Sequence, residues 1–223
     1  MNSKFPAEIL EKISTSGVVA VLVIDDVDHA VPVAKALLDG GIGIMELTLR
    51  TPAAIDALKA IRDQVPEMLA GIGTILKLEQ VHEVVAAGAS FGVSPGTNPQ
   101  IVREAQKVGL PFAPGVVTPT DVEIALELGC RELKFFPAEP SGGLAYLKSM
   151  AAPFAHLGVS FVPLGGVNSN NMADYLSDPL ILGVGGSWLA PRDLIAAEQW
   201  SSITERAAAA RNTADQVRKE SSK

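Results

Sequence analysis

The sequence has one cysteine, Cys130, among 223 residues. A lone thiol excludes an internal disulfide and any zinc site built on cysteines, and Cys130, with no histidine near it, reads as a small buried hydrophobe. Basic runs are equally scarce: Arg218-Lys219 is the longest, and 18 Lys+Arg against 25 Asp+Glu leave a net charge of −7. Phosphate backbones and anionic lipid headgroups need clustered cations, so nucleic acid and membrane are excluded as partners, while a local site for a small phosphate stays open. No apolar stretch reaches the roughly 18 residues of a membrane-spanning helix; the run from Gly17 to Ile24 stops at Asp25-Asp26. The N-terminal residues show no basic region followed by an apolar one and a small-residue cleavage site, so no signal peptide is expected and a cytoplasmic address follows. At 48% hydrophobic and 19% charged, the chain is too apolar for disorder and sufficient for one core.

What is present is alternation. Short β-type runs at 18–23, 44–49, 68–73, 90–93, 111–114, 132–136, 160–164 and 180–184 are separated by amphipathic stretches at 27–39, 52–65, 78–87, 99–108, 119–128, 143–152 and 169–176, with a last helical stretch at 190–219. Strand–helix pairs repeated in this way predict an α/β fold, an all-parallel (β/α)8 TIM barrel, in a single domain spanning 1–223. Residues 1–16 form a short N-terminal extension in this reading, and 190–223 a C-terminal helix with a frayed tail. A doubly wound open sheet is the rival, but its phosphate-binding glycines would follow the first strand, where Val23-Ile24-Asp25-Asp26 stands. Thr118-Pro119 and Thr51-Pro52 each offer an N-cap threonine with proline in the first turn, and Gly40-Gly41, Gly88, Gly109 and Gly129 fall just past helix ends.

In a barrel, chemistry gathers at the C-terminal ends of the strands. On the second strand, Glu46, Thr48 and Arg50 share one face while Met45, Leu47 and Leu49 share the other, so the polar set points inward if the aliphatic set packs on helices. An ion pair or polar plug without catalytic purpose would give the same pattern. On the sixth strand, Leu133 and Phe135 point outward and Lys134 inward between Glu132 and Phe136. Desolvation disfavours the ammonium form of an inward lysine and favours the neutral amine, the nucleophile that forms a Schiff base with a carbonyl. The alternative is a lysine snorkelling from a strand end. Glu46 offers a carboxylate for proton transfer, Arg50 a fork for a substrate carboxylate, and Thr74 a hydroxyl after Gly71-Ile72-Gly73, whose glycines permit close approach. Two late glycine turns, Gly165-Gly166 after the seventh strand and Gly185-Gly186-Ser187 after the eighth, stand where this fold holds phosphate, unless they are merely tight turns.

Glu46-Leu47-Thr48-Leu49-Arg50, Gly71-Ile72-Gly73-Thr74, Ser94-Pro95-Gly96, Leu133-Lys134-Phe135-Phe136-Pro137-Ala138-Glu139, Gly165-Gly166-Val167 and Gly185-Gly186-Ser187-Trp188 resemble, in order, the bacterial 2-keto-3-deoxy-6-phosphogluconate (KDPG) / 2-keto-4-hydroxyglutarate (KHG) aldolase family. The likeness runs from about Gly17 to Leu189. It implies a class I lyase of the Entner–Doudoroff pathway, free of metal and cofactor, that acts on a small 2-oxo acid phosphate as a homotrimer of barrels. KDPG would give pyruvate and glyceraldehyde 3-phosphate, and KHG would give pyruvate and glyoxylate. Carried over, Lys134 forms the imine and Glu46 shuttles protons. Arg50, Thr74 and Pro95 contact the pyruvate end and Phe136 lines the pocket, while Gly165, Gly166, Gly185, Gly186 and Ser187 hold the phosphate. One departure stands out: the family commonly has Thr before the Gly-Gly pair, and this chain has Leu164. That position lies near the aldehyde half of the substrate, so a lost hydroxyl relaxes the expected preference at C4.

His29, His82 and His156 fall in helical stretches or at their edges, where surface or packing roles are expected, and no His/Asp/Glu cluster has ligand spacing at the barrel mouth. Met45, Met68 and Met150 read as core filler. Two rival functions remain: the sister aldolase for 2-keto-3-deoxy-6-phosphogalactonate, and a catalytically inert barrel that binds a phosphorylated metabolite.

Overall fold

The apolar runs carry no solvent-facing alternation, and the strands they form are correspondingly buried on both faces, as parallel strands covered by helices must be. A computed structural model describes residues 4–221. In chain order the elements are α1 (Ala7–Ser16), β1 (Val18–Leu22), α2 (Ala30–Asp39), β2 (Ile44–Thr48), α3 (Ala54–Gln64), β3 (Leu69–Gly73), α4 (Leu78–Ala87), β4 (Gly92–Val93), α5 (Pro99–Lys107), β5 (Phe112–Ala113), β6 (Gly115–Val116), α6 (Pro119–Glu127), β7 (Glu132–Phe135), α7 (Gly143–Ala151), β8 (Ser160–Pro163), α8 (Met172–Leu176), β9 (Val184–Gly186), α9 (Arg192–Ala196) and α10 (Trp200–Ser221).

The strands form a curled six-stranded parallel sheet in the order β5-β4-β3-β2-β1-β9 and a three-stranded parallel sheet, β6-β7-β8. Pro114 alone separates β5 from β6, and the Lys134 N–H donates to its carbonyl at 3.0 Å. At the other edge, Phe161 donates to the Leu180 carbonyl (2.8 Å) and Leu182 to the Phe161 carbonyl (2.9 Å). Side chains on the outer face of the strands, among them Leu22, Met45, Leu47, Leu133, Phe135 and Phe161, pack with the helices in one large core. A second cluster fills the inner face: Phe5, Ile13, Val19, Ile44, Phe91, Val93 and Ala113.

Several sequence expectations need correction. The extension at 1–16 contains α1, whose Ile13 and the preceding Phe5 plug the inner face. The fifth strand is interrupted at Pro114, which has no N–H to give to a ladder. The last strand lies at Val184–Gly186, because the ladder that decides it pairs Val18, Val19 and Ala20 with Val184, Gly185 and Gly186. Of the run at 180–184, Ile181 makes a single bridge to Phe161, for Asp178 turns the chain there by accepting the Leu180 N–H and, through its carbonyl, the Ile181 N–H. Thr118 caps α6 as expected, in a reciprocal box with Asp121. Thr51 does not cap α3; its hydroxyl donates to the Ile24 carbonyl and the helix starts at Ala54. The stretch 190–219 breaks at Glu198, which has φ 52°, into α9 and α10. The expected fraying is absent as far as Ser221, and 222–223 lie outside the described residues.

Candidate active site

A cavity of about 340 Å³ opens at the C-terminal ends of the strands. A larger, open groove of about 530 Å³ lies at the opposite end, between α1, α10 and the start of β2, but its side chains Glu8, Glu11, Lys12 and Glu67 are solvent-exposed, and the half-buried Arg211 is paired with Asp215 at 2.6 Å. The smaller cavity is where buried charge converges. Lys134 Nζ meets Glu46 Oε1 at 2.8 Å, with the two side chains only 8% and 3% exposed. Register brings them together: Glu46 lies opposite Val21 and Gly71, while Lys134 lies opposite Gly115 and Val162. Gly73 makes room, since a Cβ there would lie 1.9 Å from Glu46 Oε1. The sequence expectation of an inward lysine in an apolar interior is thus refined: its charge has a carboxylate partner, and its Nζ also sits 5.5 Å from the centroid of the Phe136 ring.

The rest of the pyruvate-end set expected from the sequence lines the same cavity: Arg50, Thr74, Pro95 and Phe136. Arg50 Nε donates to Thr48 Oγ1 (3.1 Å), and that hydroxyl in turn donates to the Leu22 carbonyl (3.1 Å). Thr48 therefore aims the guanidinium, whose terminal nitrogens have no protein acceptor among the described residues. Thr74 has φ 65°, a left-handed conformation that a β-branched residue adopts only where its surroundings hold it. Pro95 is approached by Gly115, where a Cβ would lie 2.2 Å from the Pro95 carbonyl oxygen.

At the other end of the cavity, Gly165 (φ 91°) and Gly166 (φ 89°) turn the chain. The carbonyls here all point away from the cavity. Leu164 accepts from the Ala138 N–H (2.7 Å), Gly165 from the Glu139 N–H (2.9 Å), and Gly166 from Asn168 Nδ2 (2.9 Å) and Asn171 Nδ2 (3.3 Å). In a trans peptide the N–H opposes the carbonyl, so the N–H groups of Gly165, Gly166 and Val167 face the other way. None donates to a protein acceptor among the described residues, and all three residues line the cavity. Successive free amides of this kind make an anion cradle. Gly186 and Ser187 border it, but Gly185 does not reach the lining: a Cβ there would lie 2.8 Å from Leu164 Cγ, so the isobutyl group of Leu164 covers it. Outside the lining, Arg192 grips Asp25 with bonds of 2.5 and 2.6 Å, a contact that holds the Asp25 carboxyl below the usual range.

A family model for KDPG and KHG aldolase matches residues 9–206. The chain belongs to the KDPG and KHG aldolase family. It is 44% identical over 196 residues to the 2-dehydro-3-deoxy-phosphogluconate aldolase of Treponema pallidum, covering 88% of this chain and 92% of that one. To the KHG/KDPG aldolase of Escherichia coli K12 it is 43% identical over 196 residues, with 87% and 91% covered. Its fold superimposes with a TM-score of 0.86 on a crystal structure of the KDPG aldolase of Legionella pneumophila, with pyruvate captured at low pH as a covalent carbinolamine intermediate; the two are 41% identical, over 90% of this chain and 97% of that one.

In this member of the aldolase family the cavity joins an amine, a carboxylate, a tethered guanidinium and an anion cradle. Such an array can attack a carbonyl, move a proton and hold a molecule charged at both ends. Sequence reasoning put Thr48 on the inward face but gave it no part in the site, and it left out Val21 and Val167 as lining residues. Thr48 was within reach, since it shares the inward face of Glu46 and Arg50; the other two are apolar and carried no chemical signal. Among the described residues no group of three or more His, Cys, Asp or Glu could hold a metal ion. No helix among them is long and apolar enough to cross a membrane.

Proposed function

We propose that this chain is a class I aldolase that cleaves KDPG to pyruvate and glyceraldehyde 3-phosphate, and KHG to pyruvate and glyoxylate. The Lys134–Glu46 pair, 2.8 Å apart and buried in a cavity that ends in an anion cradle, carries the reading. Lys134 passes its proton to Glu46 and attacks the 2-oxo carbon. The carbinolamine takes that proton back onto its hydroxyl and loses water, giving a protonated imine beside an ionised Glu46. Glu46 then accepts the C4 hydroxyl proton, the C3–C4 electron pair moves toward the imine nitrogen, and the aldehyde leaves an enamine behind. Return of the proton to C3 and addition of water release pyruvate and the free amine. The summed charge of nitrogen and carboxylate is zero throughout, which suits a site with little water to stabilise an unpaired ion.

Arg50, with Thr74 and Pro95, holds the pyruvate carboxylate in this scheme, Phe136 walls the pocket, and Gly165, Gly166, Gly186 and Ser187 hold the phosphate. Gly185 serves by leaving space for Leu164. Closure of the two sheets into a complete (β/α)8 barrel in one domain belongs to the proposal, supported by the bonds of Lys134 to Pro114 and of Leu182 to Phe161. So does a homotrimer, on the family resemblance, with a cytoplasmic address suited to a charged substrate that does not cross membranes.

Borohydride trapping with pyruvate in excess EDTA, read by intact mass and peptide mapping, tests the central step. An adduct on Lys134, absent from Lys134→Ala, is expected; a folded natural protein without one overturns the reading. A second reading, action on the galactonate epimer, is favoured by one observation: Leu164 puts an isobutyl group, with no hydrogen-bonding atom, into the lining.

A further inference from the structure

Behind the glycine turn lies a contact that the cleavage chemistry does not use. Tyr175, on α8, is 1% exposed, and its hydroxyl donates to Glu139 Oε1 at 2.5 Å. Burial, and then this bond to a carboxylate, push the hydroxyl well above its ordinary range, so it remains a donor at any physiological pH. Glu139 is bound to the turn in two ways. Its N–H holds the Gly165 carbonyl, and its stem presses on Gly166, where a Cβ would lie 2.5 Å from Glu139 Cβ.

We propose that Tyr175 and Glu139 are positioning residues for the phosphate end of the substrate, fixing the aim of the Gly165 and Gly166 amides without touching the imine chemistry. The inference rests on the aldolase reading and extends it. If the Gly165 carbonyl is held rearward by the 138–139 segment, the Gly166 N–H stays forward. Backbone bonds from Ser141, Gly142 and Gly143 hold one side of that segment, and Tyr175 anchors the Glu139 side chain that packs on Gly166. The anchor has a second effect. Glu139 is a carboxylate on the flank of a site for a dianion, and a buried phenol donor holds its charge behind the turn rather than letting it swing toward the phosphate.

The full-length Tyr175→Phe and Glu139→Ala variants test this, with KDPG and the unphosphorylated KHG compared in each. KM for KDPG is expected to rise about tenfold, the worth of one good hydrogen bond to a charged group, with kcat nearly constant. KM for KHG and the rate of pyruvate trapping on Lys134 stay as in the natural protein. Glu139→Gln, which keeps an acceptor for Tyr175, is expected to recover most of the KDPG affinity. Equal changes for both substrates, or none for either, would overturn the proposal, since a merely structural contact cannot discriminate a phosphate. The aldolase reading is judged separately, by the adduct in the natural protein. Were that adduct missing, titration calorimetry with inorganic phosphate still decides the positioning claim: unchanged affinity in Tyr175→Phe sinks it. Glu139 is exposed, so Glu139→Ala keeps the test open if Tyr175→Phe fails to fold.

Discussion

A buried charge is tolerable only with its partner, and Lys134 and Glu46 are each other's. Removing the amine alone leaves a carboxylate 3% exposed and uncompensated, so Lys134→Ala is expected to lose about 3–5 kcal/mol in urea unfolding. The double variant Lys134→Met/Glu46→Leu recovers most of that loss, because both charges go together. A double variant no more stable than Lys134→Ala would show that the pair is not the source of the cost. Glu46→Gln keeps the amine and removes the base; kcat falls by about 10²–10⁴, and the pyruvate adduct forms on Lys134 more slowly, because Glu46 also serves attack and dehydration. Leu164→Thr supplies the hydroxyl that the family resemblance leads one to expect at this position. The preference for KDPG over its galactonate epimer should then grow about threefold to tenfold, the worth of one neutral hydrogen bond, and an unchanged ratio of kcat/KM values would rule Leu164 out as the cause of any relaxed choice. Cys130 titrates rather than reacts: burial pushes its thiol from 9.0 up to about 11. The folded state therefore binds this proton more tightly than the unfolded chain. The resulting stability is whole below pH 9 and lost between about pH 9 and 11, amounting to roughly 2–3 kcal/mol. Unfolding midpoints of the natural protein and Cys130→Ala, compared across that range, should converge as pH rises. At this scale the inward face of β2 and the inward lysine of β7 were legible, because strand alternation sorts side chains into two sets. Their meeting was not, since 88 residues separate them and register alone joins them. Nor was the direction of a peptide carbonyl, on which the anion cradle depends.

Elements were legible in proportion to how far local physics decides them. The helices α4, α5 and α6 fall where periodicity, caps and terminal glycines coincide; Asn98 and Thr118 accept N–H bonds in the first turns of α5 and α6. α1 was passed over because Pro6 stands at its N-cap without a capping side chain, although Ile9, Leu10 and Ile13 carry a helical spacing. The start of α3 was misjudged because Thr51 spends its hydroxyl on the loop after β1, a tertiary demand that overrides a local signal. The first of these, α1, gives a measurable expectation. Ile13→Ala should cost about 2–5 kcal/mol in urea unfolding, since Ile13 is a plug of the inner cluster and, with Glu46 and Lys134, lines one small apolar cavity. An unchanged unfolding midpoint would show instead that α1 contributes nothing to the inner packing.

At the scale of the whole molecule, the alternation of strands and helices was legible throughout, while closure and assembly were not, because both depend on edges meeting other edges. The two sheets abut at Pro114 and along Phe161, where three interstrand bonds involve the amides of Lys134, Phe161 and Leu182. Slow hydrogen exchange at these amides, comparable to that within β2, is expected of a closed barrel; fast exchange at either edge would leave an open sheet. Assembly is the remaining question. The surface of one chain exposes Leu76 (54%), Leu78 (40%) and Val85 (37%), all on α4 or the loop that enters it. Apolar side chains grouped on one element are the kind of surface that association covers, and a trimer has cyclic symmetry in which one such patch meets a different patch on the neighbour. On the proposed homotrimer, which rests on the family resemblance, sedimentation equilibrium should give three times the 23.3 kDa chain mass. Leu76→Glu/Leu78→Glu should shift the population toward a single-chain mass and make the unfolding midpoint independent of protein concentration, as expected of a chain that unfolds alone. A natural protein that sediments as one chain overturns the trimer, and a double variant that remains trimeric places the interface on another face.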